Sequence, residues 1–165
     1  MNNTTPSVPK LSGKLTLWAF RLPIWLFRFH LGWLLGQRFL MIEHTGRKSG
    51  LSRKTVLEVL RHDTSNDTYY IGSARGKKSN WFQNVSVNPE VAVHVGFRKF
   101  NTFAKQVPIE ITELELLSYA RRHPIAIREL NRLVGYQIEP TEEGLKSLAQ
   151  LMPVLALRPY KVVNN

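Results

Sequence analysis

The chain has 165 residues, with 23 Lys/Arg against 12 Asp/Glu and a formal charge of +11. That length suits one domain with its own core, and an apolar content of 43% excludes wholesale disorder. The absence of cysteine excludes a disulfide framework, a thiolate zinc site and a thiol nucleophile, and it fits a reducing cytoplasm. The positive field favours anionic partners in general: nucleic acid, anionic lipid or phosphorylated cofactors.

Residues 15–42 are rich in Leu, Trp and Phe, yet Arg21, Arg28 and Arg38 interrupt them and Pro23 breaks a helix. A spanning helix needs about 20 mostly apolar residues, so this is not a membrane span. No small-residue cleavage site follows it, which also excludes a signal peptide. Lys14, Arg21 and Arg28 recur every seven residues and form one cationic stripe on a helix, with Trp18, Trp25, Phe29 and Trp33 off it. Two readings stand: an interfacial helix at an anionic lipid surface, through residues 15–38, or an amphipathic helix packed on its own domain or a dimer mate. Residues 1–38 are therefore set apart as a tail and amphipathic segment, and residues 39–160 carry the fold. The expected location is the cytoplasm, with peripheral contact on the inner face of the cell membrane under the first reading.

Strands are expected at residues 39–42 and 55–60, separated by a basic loop, and at 69–73 after a turn at 62–67. Residues 90–95 alternate, Gly96 turns the chain, and 99–107 pair back. A short helix at 79–86 ends at Asn88-Pro89. Thr112 and Glu115 spell a capping box that opens a helix through about Arg122. Helices at 125–134 and 141–151 follow, and a last strand runs over 154–157. Clustered strands with appended helices give an α+β class with a mostly antiparallel sheet or barrel.

The basic loop reads "HTGRKSGLSRKT" over residues 44–55. It is not a P-loop, because Leu51-Ser52-Arg53 separates Gly50 from Lys54-Thr55 and no helix follows. Gly46, Arg47, Lys48, Ser49 and Gly50 can still form an NH-lined anion nest, although solvated basic hairpins are common. The second basic stretch, "SARGKKSNW" at 73–81, leads into a helix whose first free N–H groups attract anions. Trp81 by itself reads as core packing. Paired catalytic carboxylates, H-E-x-x-H and G-x-S-x-G are all missing. The histidines at 30, 44, 62, 94 and 123 lack metal spacing, so no metal site is expected, and any chemistry falls to a cofactor.

Taken in order, "HTGRKSGLSRKTVLEV", "YYIGSARGKKSNWFQNVSVNPEVAVHVG" and "PVLALRP" resemble the deazaflavin-dependent nitroreductase and quinone reductase family over about residues 33–160. The resemblance implies a split β-barrel like that of pyridoxamine-phosphate oxidases and FMN-binding proteins, and a homodimer. It implies deazaflavin coenzyme F-420 as hydride carrier, with FMN or FAD as the alternative, and a quinone or nitroaromatic acceptor. Arg47, Lys48, Ser49 and Arg53 would hold the phosphate and acidic tail. Val56, Leu57, Ser73, Lys78, Asn80 and Trp81 would flank the deazaflavin, and Tyr136 or bulk water would supply a proton. Two departures are visible: a shorter loop before Trp81 and a longer segment over 136–152. The rival readings are a non-catalytic binder of lipid, haem or flavin, and a nucleic-acid module, which ranks last for want of a recognition helix.

Overall fold

The computed structural model of the chain describes residues 37–160. The amphipathic helix expected before residue 37 lies outside the described residues. Three strands, a helix, two strands, three helices and a last strand follow in chain order. The strands are β1 (Phe39–Thr45), β2 (Ser52–Asp63), β3 (Thr68–Gly72), β4 (Glu90–Val95), β5 (Arg98–Gln106) and β6 (Val154–Pro159). The helices are α1 (Asn80–Val87), α2 (Ile109–Arg122), α3 (Ala126–Val134) and α4 (Glu142–Leu151). The strands close in the order β1-β2-β3-β6-β5-β4, and every pairing is antiparallel. The expected split barrel is therefore present, with helices grouped after β5. Among the described residues no helix is long and apolar enough to cross a membrane.

The strand sequences explain which faces are covered. β4 alternates, so Val91, Val93 and Val95 enter the barrel while their neighbours face out. β3 and β6 are apolar on both sides because they sit between two cores. Tyr69, Ile71, Leu155 and Leu157 fill the barrel with Leu40 and Ile42. Tyr70, Val154 and Ala156 face outwards against α2, α3 and α4 through Leu116, Ile127 and Leu148. α1 closes one end of the barrel, where Phe82 and Val85 join the inner core.

A bulge in β2 leaves Leu60 out of register between Val59 and Arg61. Its carbonyl accepts from Arg122 Nη2 at 2.6 Å, so the irregularity is satisfied by α2. The helix start read from Thr112 and Glu115 is corrected here. α2 begins at Ile109 after Pro108, and no side chain caps it. Thr112 lies inside the helix start and its hydroxyl donates to the Pro108 carbonyl at 3.2 Å, a side-chain-to-backbone bond that takes the place of capping. Glu115 pairs instead with Arg61 on β2. The start expected at Thr141 holds, since its hydroxyl accepts from Gly144 N at 3.1 Å.

Candidate functional site

The β1–β2 loop and the N-terminal turn of α1 meet at one end of the barrel. The loop is closed by its own backbone: Gly46 N donates to Leu51 O and Gly50 N to Gly46 O, each at 2.8 Å. Arg47 then reaches across to α1. Its backbone N–H and its Nη1 both donate to Asn84 Oδ1, at 3.1 and 2.8 Å. Longer contacts of 3.5 Å run from the same guanidinium to the Asn80 carbonyl and to Asn80 Oδ1. Arg47 and Asn80, chosen separately from two stretches of sequence, are thus brought side by side.

Lys48 and Ser49 are exposed at the loop tip. Arg53 is exposed at the start of β2, on the same strand face as Thr55 and Leu57. The strand period separates Val56 from Leu57. Leu57 packs on the barrel core, whereas Val56 lies opposite Met41 on the other face. Trp81 is half-buried against the same core and meets Phe82 edge to face at 5.9 Å.

The β3–α1 connection forms the second edge. Ser73 is fully buried. Its hydroxyl lies 2.8 Å from Gly76 O and 2.9 Å from Ser79 Oγ, so it holds a turn over Gly76–Lys78. Lys77 and Lys78 stand exposed on that turn. Tyr136 is 6% exposed and donates its hydroxyl to the Ala74 carbonyl at 2.8 Å, tying the α3–α4 connection to the same loop. Burial pushes its phenol pKa up, so the proton stays on the oxygen. Gly76 has φ +66, and a Cβ there would stand 2.7 Å from Leu151 O. Replacing Gly76 with Ala should cost about 2–3 kcal/mol, from left-handed strain and a backbone clash that cannot relax. Thermal unfolding of the variant checks this, and an unchanged midpoint would contradict it.

Among the described residues, Lys48, Arg53, Arg75, Lys77 and Lys78 have no carboxylate within ion-pair distance. Some cations elsewhere are paired: Arg38 with Glu58, Arg61 with Asp63 and Glu115, and Arg98 with Asp67. Two surface depressions, of about 430 and 270 Å³, lie along α2 and between α2 and α4, away from this rim.

Sequence reasoning did not find Asn84 or the role of His44. His44 is 4% exposed and bonds Thr55 Oγ1 through Nε2 at 3.1 Å, with Asn84 Nδ2 3.4 Å from its Nδ1. The signal for Asn84 was present: Asn80 and Asn84 are one helical turn apart, so both face the loop.

Residues 30–129, more than half of the chain, match the family model described as F420H(2)-dependent quinone reductase. The chain belongs to that family. A curated F420H(2)-dependent quinone reductase of Mycobacterium tuberculosis is 32% identical over 71 residues, which covers 41% of this chain and 46% of that relative. The chain thus spans about half the length of the curated relatives it matches. Among solved structures, an F420-H2 dependent reductase (FDR-A) aligns with a TM-score of 0.52 at 20% identity. That alignment covers 74% of this chain and 96% of that one. A structure described as a domain-swapped dimer aligns at 0.51 and 19%, covering 82% and 99%. At these identities the likeness is one of fold. The family model covers the basic loop, the β3–α1 turn and α1, the three pieces that make the rim.

Proposed function

We propose that this member of the family is a deazaflavin-dependent oxidoreductase, passing hydride from reduced coenzyme F-420 to a quinone or nitroaromatic acceptor. The observation that carries the reading is the unneutralised cationic edge where the β1–β2 loop meets α1. Arg47, Lys48, Arg53 and Lys78 would hold the phosphate and acidic tail through charge-assisted bonds. Ser49 would add a hydroxyl donor at the loop tip. Asn80 and the free N–H groups of the first α1 turn extend that edge. Trp81 and Leu57, half-buried beside it, offer apolar surface for the ring system, and buried Ser73 would shape the loop from beneath. When bound, the reduced deazaflavin supplies the hydride, and one proton from solvent completes a quinol. Tyr136 would act as a clasp, because its hydroxyl is already given to Ala74 O. The protein's share is therefore binding, orientation and electrostatics.

Mixing the purified chain with reduced deazaflavin and menadione, or with a nitroaromatic, should produce oxidised-deazaflavin absorbance. The rate should depend on both protein and acceptor, and NADPH with FMN should not substitute. Tight binding without turnover across several acceptors would make the protein a carrier. No binding would remove the deazaflavin reading. A homodimer is the assembly the resemblance implies, and light scattering on the same sample tests it.

A further inference from the structure

We propose that Asn84 and His44 are positioning residues for the anion grip of Arg47, and that protonation of His44 releases that grip. The inference rests on the anion-binding reading of the basic loop.

The donors decide the arrangement. Asn84 Oδ1 already accepts two N–H groups from Arg47, the backbone one and Nη1, and Arg47 has no acceptor to offer in exchange. The amide of Asn84 is thereby oriented with its oxygen to Arg47, so its Nδ2 hydrogens point towards His44 Nδ1. A donor facing Nδ1 requires that nitrogen to be unprotonated, which leaves the ring proton on Nε2, donated to Thr55 Oγ1. The chain of bonds therefore runs from Arg47 through Asn84 and His44 to Thr55, each group fixing the next. Both middle members are buried, at 6% and 4% exposure, so water does not replace a lost partner.

Adding a proton to Nδ1 sets N–H against N–H. The nearest relief is rotation of the Asn84 amide, which turns Oδ1 to His44 and presents NH₂ to both donors of Arg47. The loop then loses its two ties to Asn84 and keeps only the longer contacts to Asn80. No facing group favours the charged ring. From β2 come the neutral Thr55 and the cation Arg53, from the loop Arg47, and from α1 only Asn84, since Asn80–Val87 holds no charged residue. Glu43, the adjacent carboxylate on β1, points to the opposite face and bonds Ser52 Oγ at 2.9 Å. Burial, and then Arg53, hold the His44 pKa below the ordinary value of about 6.5. The sign follows. The neutral relay is intact above the unfolded-state value and is lost as pH falls through the lower folded-state value.

The test is nitrogen–proton NMR of the full chain between about pH 5 and 8, where histidine titrates. His44 should show the Nε2–H tautomer at high pH, and the Arg47 amide resonance should move on the same titration curve. In Asn84→Ala the Arg47 amide should no longer follow His44. In Asn84→Asp a carboxylate faces Nδ1, so His44 should titrate above its ordinary value. A Nδ1–H tautomer, or an Arg47 amide that stays still while His44 titrates, would overturn the relay. In deazaflavin titrations at neutral pH, Asn84→Ala should bind about tenfold more weakly, as expected for losing the bonds that hold the loop. Unchanged affinity there would also overturn it. Absence of binding by the unsubstituted protein would defeat the deazaflavin reading alone, because the resonances report the relay without any ligand.

Discussion

Arg47→Ala is expected to bind reduced deazaflavin at least tenfold more weakly than the unsubstituted chain. A charge-assisted hydrogen bond contributes roughly 1.5–3 kcal/mol, and about 1.4 kcal/mol is a factor of ten in affinity. Arg47 would contribute twice, by meeting the anionic tail and by tying the loop to Asn84 through its side chain. Lys48→Ala should lose a similar factor of about ten in affinity without changing the melting temperature, because Lys48 is exposed and held by no carboxylate. Arg47→Lys should recover little. An ammonium is a point charge and does not reproduce the fork that spans Asn84 and Asn80. Fluorescence titration at two salt concentrations reads all three, and affinity should fall with salt in each case. Unaltered binding by both alanine variants would take the tail away from this loop.

Arg61→Ala is expected to produce the largest loss of stability. Arg61 Nε donates to both oxygens of Glu115 at 2.9 and 3.0 Å, and Nη2 lies 2.9 Å from Oε1. Its guanidinium also sits 4.2 Å from the Tyr70 ring centroid and reaches Asp63 at 3.2 Å. Glu115 is 6% exposed, so removing the cation strands a carboxylate between α2 and the barrel. Breaking a buried pair costs about 3–5 kcal/mol. Since a third of the Arg61 side chain remains in solvent, the lower end of about 3 kcal/mol applies here. At roughly 3 °C per kcal/mol for a chain of this size, the melting point should drop by about 10 °C. Replacing both partners together, Arg61→Met with Glu115→Leu, should restore much of it, because no charge is left buried. Strictly additive losses in the double variant would mean that the pair is not coupled.

The two sites differ in how far the sequence announced them. The basic loop was legible because glycines and cations concentrate in one short stretch between two strand patterns. The Arg61–Glu115 pair was not, since its partners lie 54 residues apart and no local pattern links them. Glu115 was read as part of a helix cap because that signature needs only a threonine three residues earlier. The pattern could not show that α2 already starts at Ile109. Val56 and Leu57 were grouped as one wall, although strand alternation sends them to opposite faces of β2. Ser73 was expected to flank the cofactor and Tyr136 to supply a proton, and both hydroxyls are engaged with backbone carbonyls of the β3–α1 loop.

By itself the sequence determined the element types, the antiparallel class and the cationic character of two loops. These follow from local quantities: period-two alternation in β4, apolar runs in β3 and β6, turn residues at 62–67, and charge density at 47–54 and 75–78. Only the tertiary structure decided what those loops do together. Closing the barrel seats α1 on the end of β1 and β2, which places Asn84 between Arg47 and His44. Hydrogen bonds between residues 37 and 40 positions apart depend on strand register and helix seating, and neither is written in any single stretch of the chain.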